Sequence, residues 1–121
     1  MPRVIHFEIS ADNPQRAVKF YSRVFGWKID KFPPMDYWLA TTGDEKEPGI
    51  DGAIQARTQF TAPVINTIGV ENFEEYKAKI EKAGGKAVTP RQAIPGIGYF
   101  AYFLDTEGNP FGIMQNDPKA K

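Results

Sequence analysis

The chain has 121 residues, with 15 Lys and Arg against 15 Asp and Glu, so its formal net charge is zero. This balance excludes a large basic surface for nucleic acid and a polybasic membrane anchor. Hydrophobic residues make up 41% and aromatic residues 13%, which is enough for a packed core. Cysteine is absent, which excludes disulfides, thiolate metal ligands and a cysteine nucleophile.

The N-terminal segment lacks the long apolar region of a secretory signal. Gly, Pro or charged residues interrupt the longest apolar stretches of the sequence, none of which approaches the roughly 20 residues that a membrane-spanning helix needs. We therefore expect a cytoplasmic protein that contacts neither nucleic acid nor membrane.

The first predicted strand alternates Ile5, Phe7 and Ile9 with His6 and Glu8. Because side chains alternate between the two faces of a strand, His6 and Glu8 share one face and the apolar residues share the other. His6 is the only histidine of the chain.

A helix follows, with Asn13 as its cap, Pro14 in its first turn and Gly26 as its stop. Its apolar residues are spaced three and four apart and form one stripe: Ala17, Phe20, Tyr21, Val24 and Phe25. If this stripe is part of the core, Phe20→Ala is expected to cost about 3–5 kcal/mol.

The remaining elements repeat this order. The first half continues with predicted strands at residues 27–30, 37–41 and 52–56. The second half has a strand at residues 64–70, a helix that begins at the Asn72 and Glu75 capping box, and strands at residues 86–89, 99–104 and 111–115.

The two halves align with each other at an offset of about 59 positions. Ile9 then matches Ile68 and Gly26 matches Gly85, and one further residue of offset brings Gly52 onto Gly112. The repeat predicts two β-α-β-β-β modules, at about residues 3–57 and 63–116, within a single domain at residues 3–116. The alternative is an α+β domain whose two helices happen to be evenly spaced.

Several segments resemble the vicinal oxygen chelate superfamily, which includes glyoxalase I, bleomycin-resistance proteins and extradiol dioxygenases. They are His6, residues 20–27, residues 83–86 and residues 105–112. The resemblance, which is to stand-alone glyoxalase-like proteins, implies an α+β fold of two β-α-β-β-β modules. Eight strands would form a cup-shaped mixed sheet that holds the ligand, with the helices outside.

The resemblance also implies a divalent metal held at four strand positions, commonly by His, Glu, His and Glu. These positions fall at His6, at Gly52 or Ala53, at Ile65 and at Gly112, so only one of them carries a ligand. A facial triad of two histidines and a carboxylate cannot form in a chain with one histidine. We therefore expect no cofactor.

A divalent metal held by His6 and Glu8 stays open as an alternative, since both side chains lie on one face of a strand. A third donor would then come from one of the loop acids, which are Asp44, Glu45, Glu47 and Asp51.

His6 and Glu8 are the candidate catalytic residues. The carboxylate would raise the pKa of the imidazole and select its tautomer, and such a base can move a proton on a carbon next to a carbonyl. The alternative is a structural histidine that pairs with Glu8 or with a neighbouring strand.

Three further residues are candidate ligand contacts. Trp38 is preferred to its neighbour Tyr37 as the residue that faces inward, Thr67 supplies a hydroxyl, and Tyr99 represents the aromatic strand. Core packing is the alternative role for such aromatic residues.

The sequence thus favours a glyoxalase-like or bleomycin-resistance-like protein that binds a small, partly apolar molecule in an aromatic cup, without the usual metal set. Two alternatives stay open: a metal-dependent lyase or isomerase of the glyoxalase type, and a binder that sequesters its ligand without chemistry. Whether the protein is an enzyme stays open as well.

A homodimer is expected, because members of this superfamily often complete their cups across two chains and because the aromatic strands leave apolar surface to cover.

Overall fold

The computed structural model describes residues 1–58 and 62–121. Two compact units divide the chain: Ile5–Ile65 forms one, and Met1–Val4 with Asn66–Lys121 forms the other. Strands and helices occur in both units, which confirms the predicted α+β class. Each strand below is assigned to the unit that holds most of it.

The first unit has one helix and four strands in its described residues. They are β1 (Arg3–Ala11), α1 (Pro14–Phe25), β2 (Lys28–Lys31), β3 (Tyr37–Thr41) and β4 (Gly52–Ala56). β1 runs parallel to β4, and β3 is antiparallel to both β4 and β2. β4 therefore lies between β1 and β3.

The second unit repeats this pairing. Its elements are β5 (Val64–Gly69), α2 (Phe73–Lys82), β6 (Lys86–Ala87), β7 (Gln92–Ile94), β8 (Gly98–Leu104) and β9 (Pro110–Asn116). β5 runs parallel to β9, and β8 is antiparallel to β9, β6 and β7. The short strand β7 is an addition that the sequence pattern does not predict, since only three residues pair with β8.

The strand register gives the alignment of the two halves. Glu8 pairs with Ala53 across β1 and β4, and Thr67 pairs with Gly112 across β5 and β9. Thr67 follows Glu8, and Gly112 follows Ala53, by the same 59 positions. The extra residue of offset that the sequence alignment inserts before Gly112 is therefore wrong.

Both helices start as predicted. The Asn13 side chain accepts a hydrogen bond from the Arg16 N–H at 3.1 Å, and the Asn72 side chain accepts one from the Glu75 N–H at 2.9 Å. α1 ends at Gly26, whose φ of +72° is a conformation that favours glycine.

The core of the second unit lies between α2 and its strands. It consists of Val70, Phe73, Ala101, Phe103 and Ile113, each of which is nearly or fully buried. The rings of Phe73 and Phe103 are 6.2 Å apart. This cluster anchors α2 on the sheet.

The apolar stripe of α1 is more exposed than its pattern predicts. Phe20, Val24 and Phe25 are 55%, 56% and 61% exposed, so the condition on which Phe20→Ala would cost about 3–5 kcal/mol is not met. The helix packs instead through its Tyr21 side, where the ring stacks on Trp27 at 5.0 Å. A stripe this wide cannot turn all of its residues toward one sheet.

Neither of the two helices in the described residues has the length and apolar character that a membrane crossing requires.

Candidate functional site

The two faces of β1 differ as the alternation predicts. Phe7 points toward the helix side, where its ring lies 5.9 Å from that of Trp27. On the other face, Glu8 and Ser10 are 4% and 5% exposed. His6 precedes them on that face and is half-buried. The strand thus brings an imidazole and a buried carboxylate to one surface.

A tyrosine hydroxyl joins these two groups. The Tyr37 Oη atom lies 2.7 Å from His6 Nε2, and the Tyr37 hydroxyl donates to Glu8 Oε2 at 2.6 Å. Gln55 Nε2 lies farther from the other carboxylate oxygen, at 3.5 Å. We call these three hydrogen-bonded side chains, His6, Tyr37 and Glu8, the relay.

The relay determines which nitrogen of His6 carries the proton. A phenol has one hydrogen to donate, and Tyr37 gives it to the carboxylate of Glu8, which can only accept. Tyr37 must therefore accept from His6, so the proton of the neutral imidazole is on Nε2. Nδ1 keeps its lone pair, and no described residue forms a hydrogen bond with it.

Burial lowers the pKa of His6 below its ordinary value of 6.5. The negative charges of Glu8 and, to a smaller extent, Asp51 oppose this effect without overcoming it. His6 is therefore a neutral base at pH 7, with acidic groups nearby that would stabilise its protonated form.

We expect the pKa of His6 to make the protein less stable in mild acid. Between the folded-state pKa and 6.5, the unfolded chain binds the proton more readily, so the free energy of unfolding falls as the pH drops below 6.5. The loss levels off once the folded protein is protonated as well. Urea unfolding between about pH 7.5 and 5.5 measures it, with His6→Gln as the control. Equal pH slopes in the two proteins would contradict the prediction.

Tyr37, rather than Trp38, shares a face with His6 and Glu8. The hydrogen bonds place the Tyr37 hydroxyl there, and consecutive residues of β3 point to opposite faces. The Trp38 ring instead lies 5.5 Å from the Lys31 ammonium group. Trp38 therefore lies on the face opposite to His6 and Glu8, a choice that alternation alone leaves open, and its role as a ligand contact stays a prediction.

Tyr99 lies on the helix side of the second unit. It packs against the core cluster under α2, and the Arg91 guanidinium lies 4.5 Å from its ring. Its role as a ligand contact stays a prediction, and the neighbouring residue Phe100 faces the other way, toward Gly112 and Thr67.

Thr67 is 2% exposed, and its hydroxyl has no hydrogen-bond partner in the part of the chain that the structure describes. Such a buried hydroxyl is uncommon, because burying it without a partner costs about 1–3 kcal/mol. Its proposed role as a ligand contact stays a prediction.

The donors around His6 do not fit a divalent metal. No group of three or more His, Cys, Asp or Glu side chains that could hold an ion lies within residues 1–58 and 62–121. An ion between His6 and Glu8 would have to displace the Tyr37 hydroxyl, which already contacts both. Of the other positions implied by the resemblance, Ala53, Ile65 and Gly112 have no donor atom in their side chains.

Residues 3–113 match the sequence profile of the Glyoxalase/Bleomycin resistance protein/Dioxygenase superfamily. The chain belongs to this superfamily, as the resemblance predicts.

Curated relatives carry related names. A glyoxylase-like domain-containing protein of Didymella fabae is 31% identical over 121 residues, covering 93% of this chain and 92% of its own length. The protein CFP32 of Mycobacterium bovis, which is named as a glyoxylase, is 26% identical over 113 residues and 89% of this chain. The match spans only 43% of that longer relative.

A solved structure shows the same fold. A glyoxalase/bleomycin resistance protein/dioxygenase superfamily member from Vibrio splendidus has a TM-score of 0.67 at 15% identity, over 96% of this chain and 100% of its own. Methylmalonyl-CoA epimerase in complex with methylmalonyl-CoA also has a TM-score of 0.67, at 13% identity, over 100% of this chain and 99% of its own.

Proposed function

We propose that the chain binds a small, partly apolar carbonyl compound next to the relay and transfers a proton on it without a metal. The observation that carries this proposal is the lone pair of His6 Nδ1, with which no residue in the described part of the chain forms a hydrogen bond while Nε2 contacts Tyr37. The lowered pKa of His6 supports it, because the base is then neutral at pH 7.

The reaction would begin when Nδ1 takes a proton from the carbon next to the carbonyl. The electron pair of the broken C–H bond moves into the carbonyl and forms an enolate, while His6 becomes an imidazolium. Nε2–H keeps its hydrogen bond to Tyr37, whose hydroxyl passes the effect of the Glu8 negative charge to the ring. Return of the proton to a carbon of the enolate completes an isomerisation or an epimerisation.

We also propose Thr67 as a ligand contact in its own unit, since its buried hydroxyl has no partner among the described residues. A homodimer belongs to the proposal too: Phe20, Val24 and Phe25 expose apolar surface on α1 that a second chain could cover.

Two measurements test the proposed function. A thermal-shift screen with α-ketoaldehydes, their thiol conjugates and small aromatic molecules should find a ligand, which at 100 times its Kd adds about 2.7 kcal/mol. Proton NMR in D2O should then show exchange at the carbon next to the carbonyl of that ligand.

We expect His6→Gln to abolish the exchange while the ligand still binds, because glutamine can donate to Tyr37 but is no base. A chelator should leave the exchange unchanged, whereas the alternative of a metal-dependent lyase predicts its loss. Binding without any exchange in the unmodified protein would reduce the function to sequestration. Exchange that persists in His6→Gln would show that another group is the base.

A further inference from the structure

The position of Tyr37 requires its ring to cross a strand. Tyr37 is on β3 and Glu8 is on β1, and β4 lies between them. The two backbones are therefore two strand spacings apart, or about 9.5 Å. Since the Tyr37 hydroxyl reaches Glu8 at 2.6 Å, the phenol ring passes over β4.

The register identifies the residue beneath this crossing. Leu39, Ala53 and Glu8 form one cross-strand row, and Tyr37, Gln55 and Ser10 form the next. Because the ring runs from its own row toward Glu8, it crosses β4 between Gln55 and Ala53. Ala53 is fully buried and has only a methyl group on this face.

The second unit has the same arrangement with different residues. Thr67, Gly112 and Tyr102 form the row that corresponds to Glu8, Ala53 and Leu39, so Phe100 corresponds to Tyr37. A Cβ atom added to Gly112 would lie 2.7 Å from Phe100 Cε2 and 3.0 Å from Thr67 Oγ1. The Phe100 ring therefore covers the small residue of β9, Gly112, next to the polar residue of β5, Thr67.

We infer that Ala53 is the positioning residue of the relay, because its small side chain leaves the space through which the Tyr37 ring crosses β4 to join His6 to Glu8. This inference rests on the relay of the proposed function. The inference gives a role to the small side chain of Ala53, which has no metal-ligand atom. A longer side chain on this face would meet the phenol ring and move the Tyr37 hydroxyl away from His6 and Glu8.

NMR titration of the single imidazole tests the inference. Tyr37→Phe should lower the pKa of His6, because the imidazolium loses the hydrogen-bond acceptor on Nε2. Ala53→Val should lower it as well, and the double variant should match Tyr37→Phe alone, since both changes break the same contact. Ala53→Gly keeps the space and should leave the pKa of His6 at its original value.

Ala40→Val is the matched control for crowding. Ala40 is also buried, but it lies on the opposite face of β3 from Tyr37, since three positions separate them. It should destabilise the protein without moving the pKa of His6. If Ala53→Val leaves this pKa unchanged while Tyr37→Phe lowers it, the relay stands and the role of Ala53 is refuted. If Tyr37→Phe also leaves it unchanged, the relay itself is refuted.

A measurement on the unmodified protein does not depend on the folding of any variant. The Ala53 methyl protons should show nuclear Overhauser contacts to the Tyr37 ring protons. If these contacts are absent although the Tyr37 hydroxyl is hydrogen-bonded to the Glu8 carboxylate, the role of Ala53 is refuted.

Discussion

Phe103→Ala is expected to lower the free energy of unfolding by about 3–5 kcal/mol, because a fully buried aromatic ring leaves a cavity when it is removed. Phe103 lies within ring-contact distance of Phe73 and Phe111, at 6.2 and 6.0 Å. Its loss therefore removes contacts both to α2 and to β9. Urea unfolding followed by circular dichroism measures the change.

Phe20→Ala is the matched control, since it removes the same ring from an exposed site. Phe20 is 55% exposed and contacts the edge of Tyr21 at 5.1 Å, so we expect a loss of no more than about 1 kcal/mol. A cost for Phe20→Ala as large as that for Phe103→Ala would contradict the exposure of the α1 stripe, or would show that a second chain covers it. Sedimentation of both variants separates these two explanations.

Tyr37→Phe is expected to lower the free energy of unfolding by about 1.5–3 kcal/mol, the range for a hydrogen bond to a charged group. The variant lacks only the hydroxyl group, and it thereby loses the 2.6 Å hydrogen bond to the Glu8 carboxylate and the 2.7 Å hydrogen bond to His6. We further expect loss of the proton exchange proposed above, because Glu8 no longer supports the imidazolium. Urea unfolding and the exchange rate in D2O measure the two effects.

Tyr76→Phe is the matched control for this change. Tyr76 is half-buried against the core cluster, and its ring faces the Lys79 ammonium at 4.6 Å, a contact that phenylalanine also makes. We expect its effect on stability to stay within about 0.5 kcal/mol. If Tyr37→Phe were as neutral as Tyr76→Phe in both stability and exchange, the relay would have no energetic role.

The candidate site shows where inference from sequence ends. His6 and Glu8 lie next to each other on one face of β1, because every second side chain of a strand points to the same face. Their proximity therefore follows from their spacing in the sequence alone. Tyr37 joins them from a strand two positions away in the sheet, and no local pattern relates it to residue 6 or 8. Alternation along β3 places Tyr37 and Trp38 on opposite faces, but it does not decide which of the two shares the face of His6 and Glu8.

Local order along the chain determined much of this protein. The caps Asn13 and Asn72 and the alternation in β1 act through neighbours only a few residues away, so their patterns predict the elements correctly. The superfamily followed from short segments in the same way. Tertiary structure alone decided the direction of the α1 stripe, the register of Ala53 with Glu8 and the crossing of Tyr37 over β4. These depend on which strands pair and at which offset, and strand pairing joins residues that are tens of positions apart in the chain.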